Sequence, residues 1–258
     1  MSITPVFAEE RQNKILSLLK VKNKLLVNDL CEEFNVSPAT IRNDLNQLEK
    51  SGLLKRTHGG AMLCMKIMTE PTLSQKNNSN SEQKQRIAEY AARFVENGDT
   101  IAIDTGTTTY SFAQLLSNKH NLTVITTDIH IATILEDFIG VSVVLAGGKL
   151  RKGFSCTTGA ITNSLLASFN VDKLFLATNA VSYAGSLCTP DIEQAQVKKS
   201  LIKMGKEVFL LCDSSKFDRQ SFVEFGTLDE VDNIITDSNL PPEILSRIQS
   251  KNINIATV

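Results

Sequence analysis

The sequence predicts an α/β protein in two parts, a small helical domain with a hairpin followed by a larger domain on a mainly parallel sheet. Three observations predict it. Residues 37–50 carry apolar side chains at helical spacing behind a capping serine, and residues 53–63 read as two short runs about a glycine pair. Beyond a polar stretch, apolar runs alternate with helical segments, the pattern of strand–helix–strand units. At 258 residues with 42% hydrophobic content, the chain exceeds one typical domain and can bury a sizeable core.

In chain order, a helix from about Glu9 to Lys20 presents Ile15, Leu18 and Leu19 to a small core. A second stripe, Val27, Leu30, Cys31 and Phe34, ends at the short turn Asn35-Val36. Ser37 then supplies an N-cap acceptor, Pro38 suits the first helical position, and Gly52 is expected to stop the helix. Ile41, Leu45 and Leu48 point inward at i, i+4 and i+7, which leaves Ala39, Arg42, Asn43 and Asn46 on an outer face of donors without acids. The runs Leu53–His58 and Ala61–Leu63 flank Gly59-Gly60 as a tight two-residue hairpin.

Two helices joined by a short turn and followed by a basic hairpin form a winged helix-turn-helix. Its expected contacts with double-stranded DNA are Ser37, Ala39, Thr40, Arg42, Asn43, Asn46, Lys55, Arg56 and His58. An ordinary amphipathic surface helix with solvated charges would explain any one of these features. Cap, stripe, turn length and basic hairpin together favour a DNA reader.

Residues 9–62 resemble the N-terminal domain of the DeoR family of bacterial transcriptional regulators. The resemblance rests on Val36-Ser37-Pro38-Ala39-Thr40-Ile41-Arg42-Asn43-Asp44-Leu45 and on Gly52-Leu53-Leu54-Lys55-Arg56-Thr57-His58-Gly59-Gly60-Ala61. One departure lies on the outer face, where Asn43 stands in place of the family's usual second Arg. Arg favours guanine and Asn adenine, so base preference does not carry over from relatives with Arg there.

The formal net charge of −1 conceals a split: residues 1–62 hold nine Lys/Arg and seven Asp/Glu, residues 63–258 eighteen and twenty-one. So slight a basic excess suits a module that gains DNA affinity as a homo-oligomer. No apolar run approaches the length of a membrane span and the N-terminus lacks a signal pattern, so a cytoplasmic protein without membrane contact is expected. Cys31, Cys64, Cys156, Cys188 and Cys212 lack C-x-x-C spacing. His58, His120 and His130 lack the spacing of a helical zinc site, and no metal is expected.

The domains are expected at 1–64 and 82–258, with residues 65–81 as a polar linker around Pro71 and Gln75–Ser81. Strands are expected at 100–104, 123–126, 141–145, 172–176, 207–212 and 233–236. Helices are expected at about 82–97, 109–117, 129–138, 160–169, 191–204 and 241–250, giving a Rossmann-like, mainly parallel sheet.

Asp104-Thr105-Gly106-Thr107-Thr108-Thr109 closes a strand and opens a helix. It reads equally as a phosphate cradle and as a strand-to-helix turn whose Thr and Gly are caps. Polar residues at other strand ends converge on the same crevice at a switch point: Asp128, Gly147-Gly148-Lys149, Asn179 and Lys216, with Glu193 and Lys198 from a helix. There is no G-x-G-x-x-G, Walker A or G-x-S-x-G motif, so no nucleotide cofactor and no serine hydrolase chemistry are expected.

The loop at 104–109, Ala146-Gly147-Gly148 and Asp213-Ser214-Ser215-Lys216-Phe217 resemble motifs of the DeoR effector domain, which is similar to ribose-5-phosphate isomerase and senses phosphorylated sugars. The resemblance implies that Asp104, Gly106, Thr107, Thr108 and Thr109 hold a phosphate, assisted by Lys198 and Lys216. Thr127-Asp128 departs from the family's common Thr-Asn, and Thr178-Asn179-Ala180-Val181 replaces a more usual Gly-Ala-x-Gly stretch and removes the isomerases' acidic loop. A repressor of a carbohydrate operon controlled by a sugar phosphate is expected. An isomerase-like enzyme with an appended DNA-binding domain, and a DNA-binding protein whose second domain has lost its ligand, are the alternatives.

Overall fold

A computed structural model describes residues 8–22, 24–51, 53–57, 59–63, 70–251 and 253–258, and the chain divides into compact units at 1–69 and 70–258. His58, Cys64 and Gly52, each named from the sequence, lie outside the described residues, as does the stretch 65–69 of the expected linker.

The first unit runs α1 (Ala8–Lys22), β1 (Lys24–Leu26), α2 (Val27–Phe34), α3 (Pro38–Lys50), β2 (Leu54–Thr57) and β3 (Gly60–Leu63). Its core joins Ile15 and Leu19 of α1, Leu30 of α2 and the expected Ile41, Leu45 and Leu48 of α3. Ser37 caps α3 by accepting from the Thr40 N–H at 3.2 Å, and Asn35 turns the chain between α2 and α3 at φ +49°.

The hairpin β2–β3 pairs Thr57 with Gly60, so Gly60 belongs to the strand rather than to the turn. The reason is a third strand that periodicity did not reveal, β1, which pairs antiparallel with β3 and sets Leu26 opposite Gly60. A Cβ at Gly60 would stand 2.0 Å from the Leu25 carbonyl oxygen, so only glycine fits there.

The second unit begins α4 (Leu73–Asn77), α5 (Ser81–Ala91), β4 (Thr100–Ile103), α6 (Thr107–Ala113), β5 (Leu122–Thr126), α7 (Ile129–Glu136) and β6 (Val141–Leu145). It continues β7 (Lys149–Arg151), β8 (Cys156–Thr158), α8 (Ala160–Leu166), β9 (Val171–Leu176), β10 (Ala180–Val181), β11 (Ser186–Thr189), α9 (Ile192–Met204) and β12 (Gly205–Leu211). It ends with β13 (Val223–Thr227), β14 (Asn233–Thr236), α10 (Pro242–Gln249) and β15 (Asn254–Thr257).

The main sheet has seven parallel strands in the order β15-β14-β12-β9-β4-β5-β6. Its six expected strands are present, and β15 adds an edge that sequence reading passed over. Small antiparallel elements, β10-β11-β13 and β7-β8, flank it. Two apolar clusters cover its faces, one containing stacked Phe175 and Phe209 with ring centroids 5.1 Å apart. From β4 the order runs to β5 and β6 on one side and from β9 to β12 on the other, so the switch point lies between β4 and β9.

The stretch expected as the end of a linker is folded into the second unit from Glu70 onward. Thr72 and Gln75 form a reciprocal capping box at the start of α4, and Glu70 pairs with Lys76 at 2.5 Å and with Arg151 at 2.6 Å. Local polarity marks this segment as a linker only while those distant partners are out of view.

A candidate DNA-reading face and an anion crevice

Helix α3 presents Ser37, Ala39, Arg42, Asn43 and Asn46 as exposed residues, with Thr40 half-buried. The helix is held from behind by charge as well as by its apolar stripe. Arg11 of α1 grips buried Asp44 in a two-pronged contact, Nε–Oδ2 2.6 Å and Nη2–Oδ1 3.1 Å. Such a fork adds geometric specificity to the apolar packing of the helix.

The hairpin docks on the same helix. The Arg56 N–H donates to Glu49 Oε1 at 2.8 Å, and its guanidinium Nη1 donates to Asn46 Oδ1 at 2.6 Å. Asn46 therefore ties the hairpin to α3 in this structure, while Lys55, Arg42 and Asn43 remain exposed. An exposed row of donors on a capped helix beside a basic hairpin is the shape that enters a major groove.

In the second unit, a crevice of about 60 Å³ opens at the carboxyl ends of β4, β9 and β12. Thr105, Gly106, Thr107 and Thr108 line it after β4, Thr178 and Asn179 after β9, and Lys216 beyond β12. Lys198 reaches it from α9, and Lys76, Ser79 and Lys84 from the α4–α5 segment. Four of the lining residues are lysines and none is a carboxylate.

The lysines are held individually. Lys198, 2% exposed, is ion-paired with fully buried Asp104 and donates to the Ala177 carbonyl at 2.8 Å. Lys216 stands 3.9 Å from Asp213, whose carboxyl stays below its ordinary range: burial opposes ionisation, but Lys216 and the Ser215 hydroxyl outweigh it. Lys84, 4% exposed, donates to the carbonyls of Lys76 and Ser79, and burial brings its pKa down to about 8. Burial lowers the pKa of Lys76 too, opposed by Glu70. Crowded, partly desolvated ammonium groups gain more from an arriving anion than solvated ones do.

Not every residue expected around the crevice lines it. Asp104 is spent on Lys198 and on the Ala177 N–H, to which it offers Oδ2 at 3.0 Å. Thr109 is fully buried and donates to the Gly106 carbonyl. Gly147 and Gly148 lie exposed before β7, and Lys149 and Glu193 pair with each other at 2.9 Å, outside the crevice lining. Asp128 caps α7 and lines an adjoining pocket, to which Gly106 and Thr107 also contribute.

Sequence reading missed Lys76, Ser79 and Lys84. A signal was present for Lys84, which falls on the helical face that also buries Ile87, Ala88 and Ala91. A lysine in a core stripe calls for a polar reason.

Two family models match this arrangement: the DeoR-like helix-turn-helix domain over residues 11–66 and the DeoR C terminal sensor domain over residues 79–238. The chain belongs to the DeoR family. Its relatives include the glycerol-3-phosphate regulon repressor of Escherichia coli K12, 34% identical over 249 residues, 95% of this chain and 97% of that one. A putative aga operon transcriptional repressor of Escherichia coli O157:H7 is 29% identical over 251 residues, 96% and 93% of the two chains.

Among solved structures, ribose 5-phosphate isomerase A of Methanocaldococcus jannaschii aligns with a TM-score of 0.40 at 20% identity, covering 54% of this chain and 55% of its own. The eIF2B delta of Chaetomium thermophilum aligns at 0.45 and 16%, covering 88% and 70%. Neither likeness bears on function. As a DeoR-family member with both domains, the chain is a DNA-binding transcriptional regulator and not an enzyme. No helix among the described residues is long and apolar enough to cross a membrane.

Proposed function

We propose that this DeoR-family regulator represses a carbohydrate-related operon from the cytoplasm, as a homo-oligomer, and that a phosphorylated sugar or related metabolite in the lysine crevice controls operator binding. The observation that carries the reading is the crevice lining of Lys76, Lys84, Lys198 and Lys216 with threonine hydroxyls and no acid. Such a site pays little for a phosphate dianion and much for a cation. The names of the relatives, a glycerol-3-phosphate regulon repressor among them, fit a phosphate ester.

Glu70 suggests how occupancy would be felt. It is the first residue of the sensor unit, and its carboxylate already engages two crevice residues, Lys76 at 2.5 Å and Asn179 at 3.3 Å. A phosphate arriving at Lys76 competes with the Glu70 carboxylate for that ammonium and leaves Glu70 to Arg151. That equilibrium supplies the two states a switch requires.

On the DNA side, Arg42, Asn43 and Lys55 are the proposed direct contacts, with Arg56 and Asn46 fixing the hairpin. Operator binding of Arg42→Ala measured over a range of salt tests this face. Affinity is expected to fall and the salt slope to shrink by about one unit. Unchanged binding would remove α3 from the interface.

A further inference from the structure

Next to the lysine crevice, a second pocket of about 270 Å³ opens between α4, α6 and α7. The two share Gly106 and Thr107, so they adjoin at the loop that opens α6. The chemistry changes across that boundary. Beyond Thr107 the walls are Leu73, Asn77, Tyr110, Asp128 and His130, without a lysine and with one carboxylate.

Asp128 is 5% exposed and anchored on three sides. Its Oδ1 accepts the N–H groups of His130 at 2.9 Å and Ile131 at 3.1 Å, and its Oδ2 accepts the Thr105 hydroxyl at 2.6 Å. A carboxylate offers about four acceptor sites, so one remains, on Oδ2, for a donor in the pocket. Thr105 itself borders the crevice, which ties the carboxylate to the place where the anion sits.

We propose that this pocket receives the uncharged, hydroxylated body of the effector and that Asp128 is a specificity-determining residue, accepting a hydroxyl while excluding a second anionic group. The inference rests on the crevice taking the phosphate. It narrows the ligand class to phosphate monoesters of neutral polyols or sugars, as against bisphosphates and phosphorylated sugar acids. A neutral hydroxyl exchanges a hydrogen bond to water for one to the carboxylate and meets no charge repulsion. Placing a second anion within a few ångströms of a buried carboxylate lowers affinity by about tenfold or more.

The test uses the full-length protein and titration calorimetry with matched probes: inorganic phosphate, glycerol 3-phosphate against 3-phosphoglycerate, and glucose 6-phosphate against 6-phosphogluconate. At least one neutral-bodied ester is expected to bind more tightly than inorganic phosphate and about tenfold more tightly than its acidic partner. Asp128→Asn keeps a capping oxygen for α7 and is expected to bring that ratio close to one. Inorganic phosphate binding with no gain from any neutral body would overturn the proposal. So would an acid partner that binds equally in the wild type, or a ratio that Asp128→Asn leaves in place. Failure of inorganic phosphate and every ester alike would instead strike the anion crevice itself.

Discussion

Lys84 allows the anion crevice to be tested through stability, with no ligand named in advance. Its ammonium is nearly inaccessible, hydrogen-bonded to the Lys76 carbonyl and, at 2.6 Å, to that of Ser79. Burial lowers its pKa to about 8 from an ordinary 10.5. Below about 8 both folded and unfolded chains carry the proton, and the cost of burying the charge is present in full. Between about 8 and 10.5 the unfolded chain alone keeps it, so stability rises with pH through that window.

The difference, 10.5 − 8, amounts to about 3 kcal/mol at 1.36 kcal/mol per unit, reached at a slope of about 1.4 kcal/mol per pH unit. Urea unfolding of the wild type and of Lys84→Met at pH 7.5, 9 and 10 isolates this contribution from that of other groups. The variant is expected to lose most of that slope. Saturating phosphate is expected to suppress it in the wild type as well, because a bound dianion keeps Lys84 protonated. Equal slopes in the two proteins would refute the assignment of a buried, depressed lysine. A phosphate-insensitive slope would refute its place in an anion site.

Further outcomes follow from other contacts. Lys198→Met strands the buried Asp104 carboxylate with the Ala177 N–H, and is expected to cost about 3–5 kcal/mol, seen as a drop of roughly 10 °C in thermal unfolding; a drop of one or two degrees would mean that the pair is dispensable. Gly60→Ala forces a methyl against the Leu25 carbonyl and is expected to destabilise the helical unit by about 1–3 kcal/mol and weaken operator binding, measured by thermal unfolding and fluorescence anisotropy. Glu70→Gln removes a carboxylate that competes for Lys76, so inorganic phosphate is expected to bind several-fold more tightly by calorimetry; weaker binding would show Glu70 to be organising the site.

The parts of this protein that could be read in the sequence are those fixed by short-range chemistry. The cap at Ser37, the stripe of Ile41, Leu45 and Leu48, and the alternation from β4 to β14 each depend on neighbours a few residues away, and each is in the structure. The crevice depends on distance in sequence. Lys84 is held by carbonyls eight and five residues back, whereas Lys198 meets Asp104 across 94 residues and Glu70 meets Arg151 across 81. No periodicity carries such pairings. The same blindness made residues 70–81 look like a linker and left Lys149 and Glu193 in the expected crevice, although they satisfy each other outside its lining.

The threonines divide for a similar reason. In the run 105–109, Thr107 and Thr108 face the crevice while Thr109 turns back into the loop to hold the Gly106 carbonyl. Composition alone made them equivalent. The opening of α6 sorts them by direction.

The most direct measurement is operator affinity of the full-length protein by fluorescence anisotropy, at fixed salt, with and without a saturating phosphate ester selected by calorimetry, for the wild type and Lys84→Met. A change of about 5- to 150-fold is expected in the wild type and little or none in the variant. Operator affinity that stays constant while the ester is demonstrably bound would contradict that expectation.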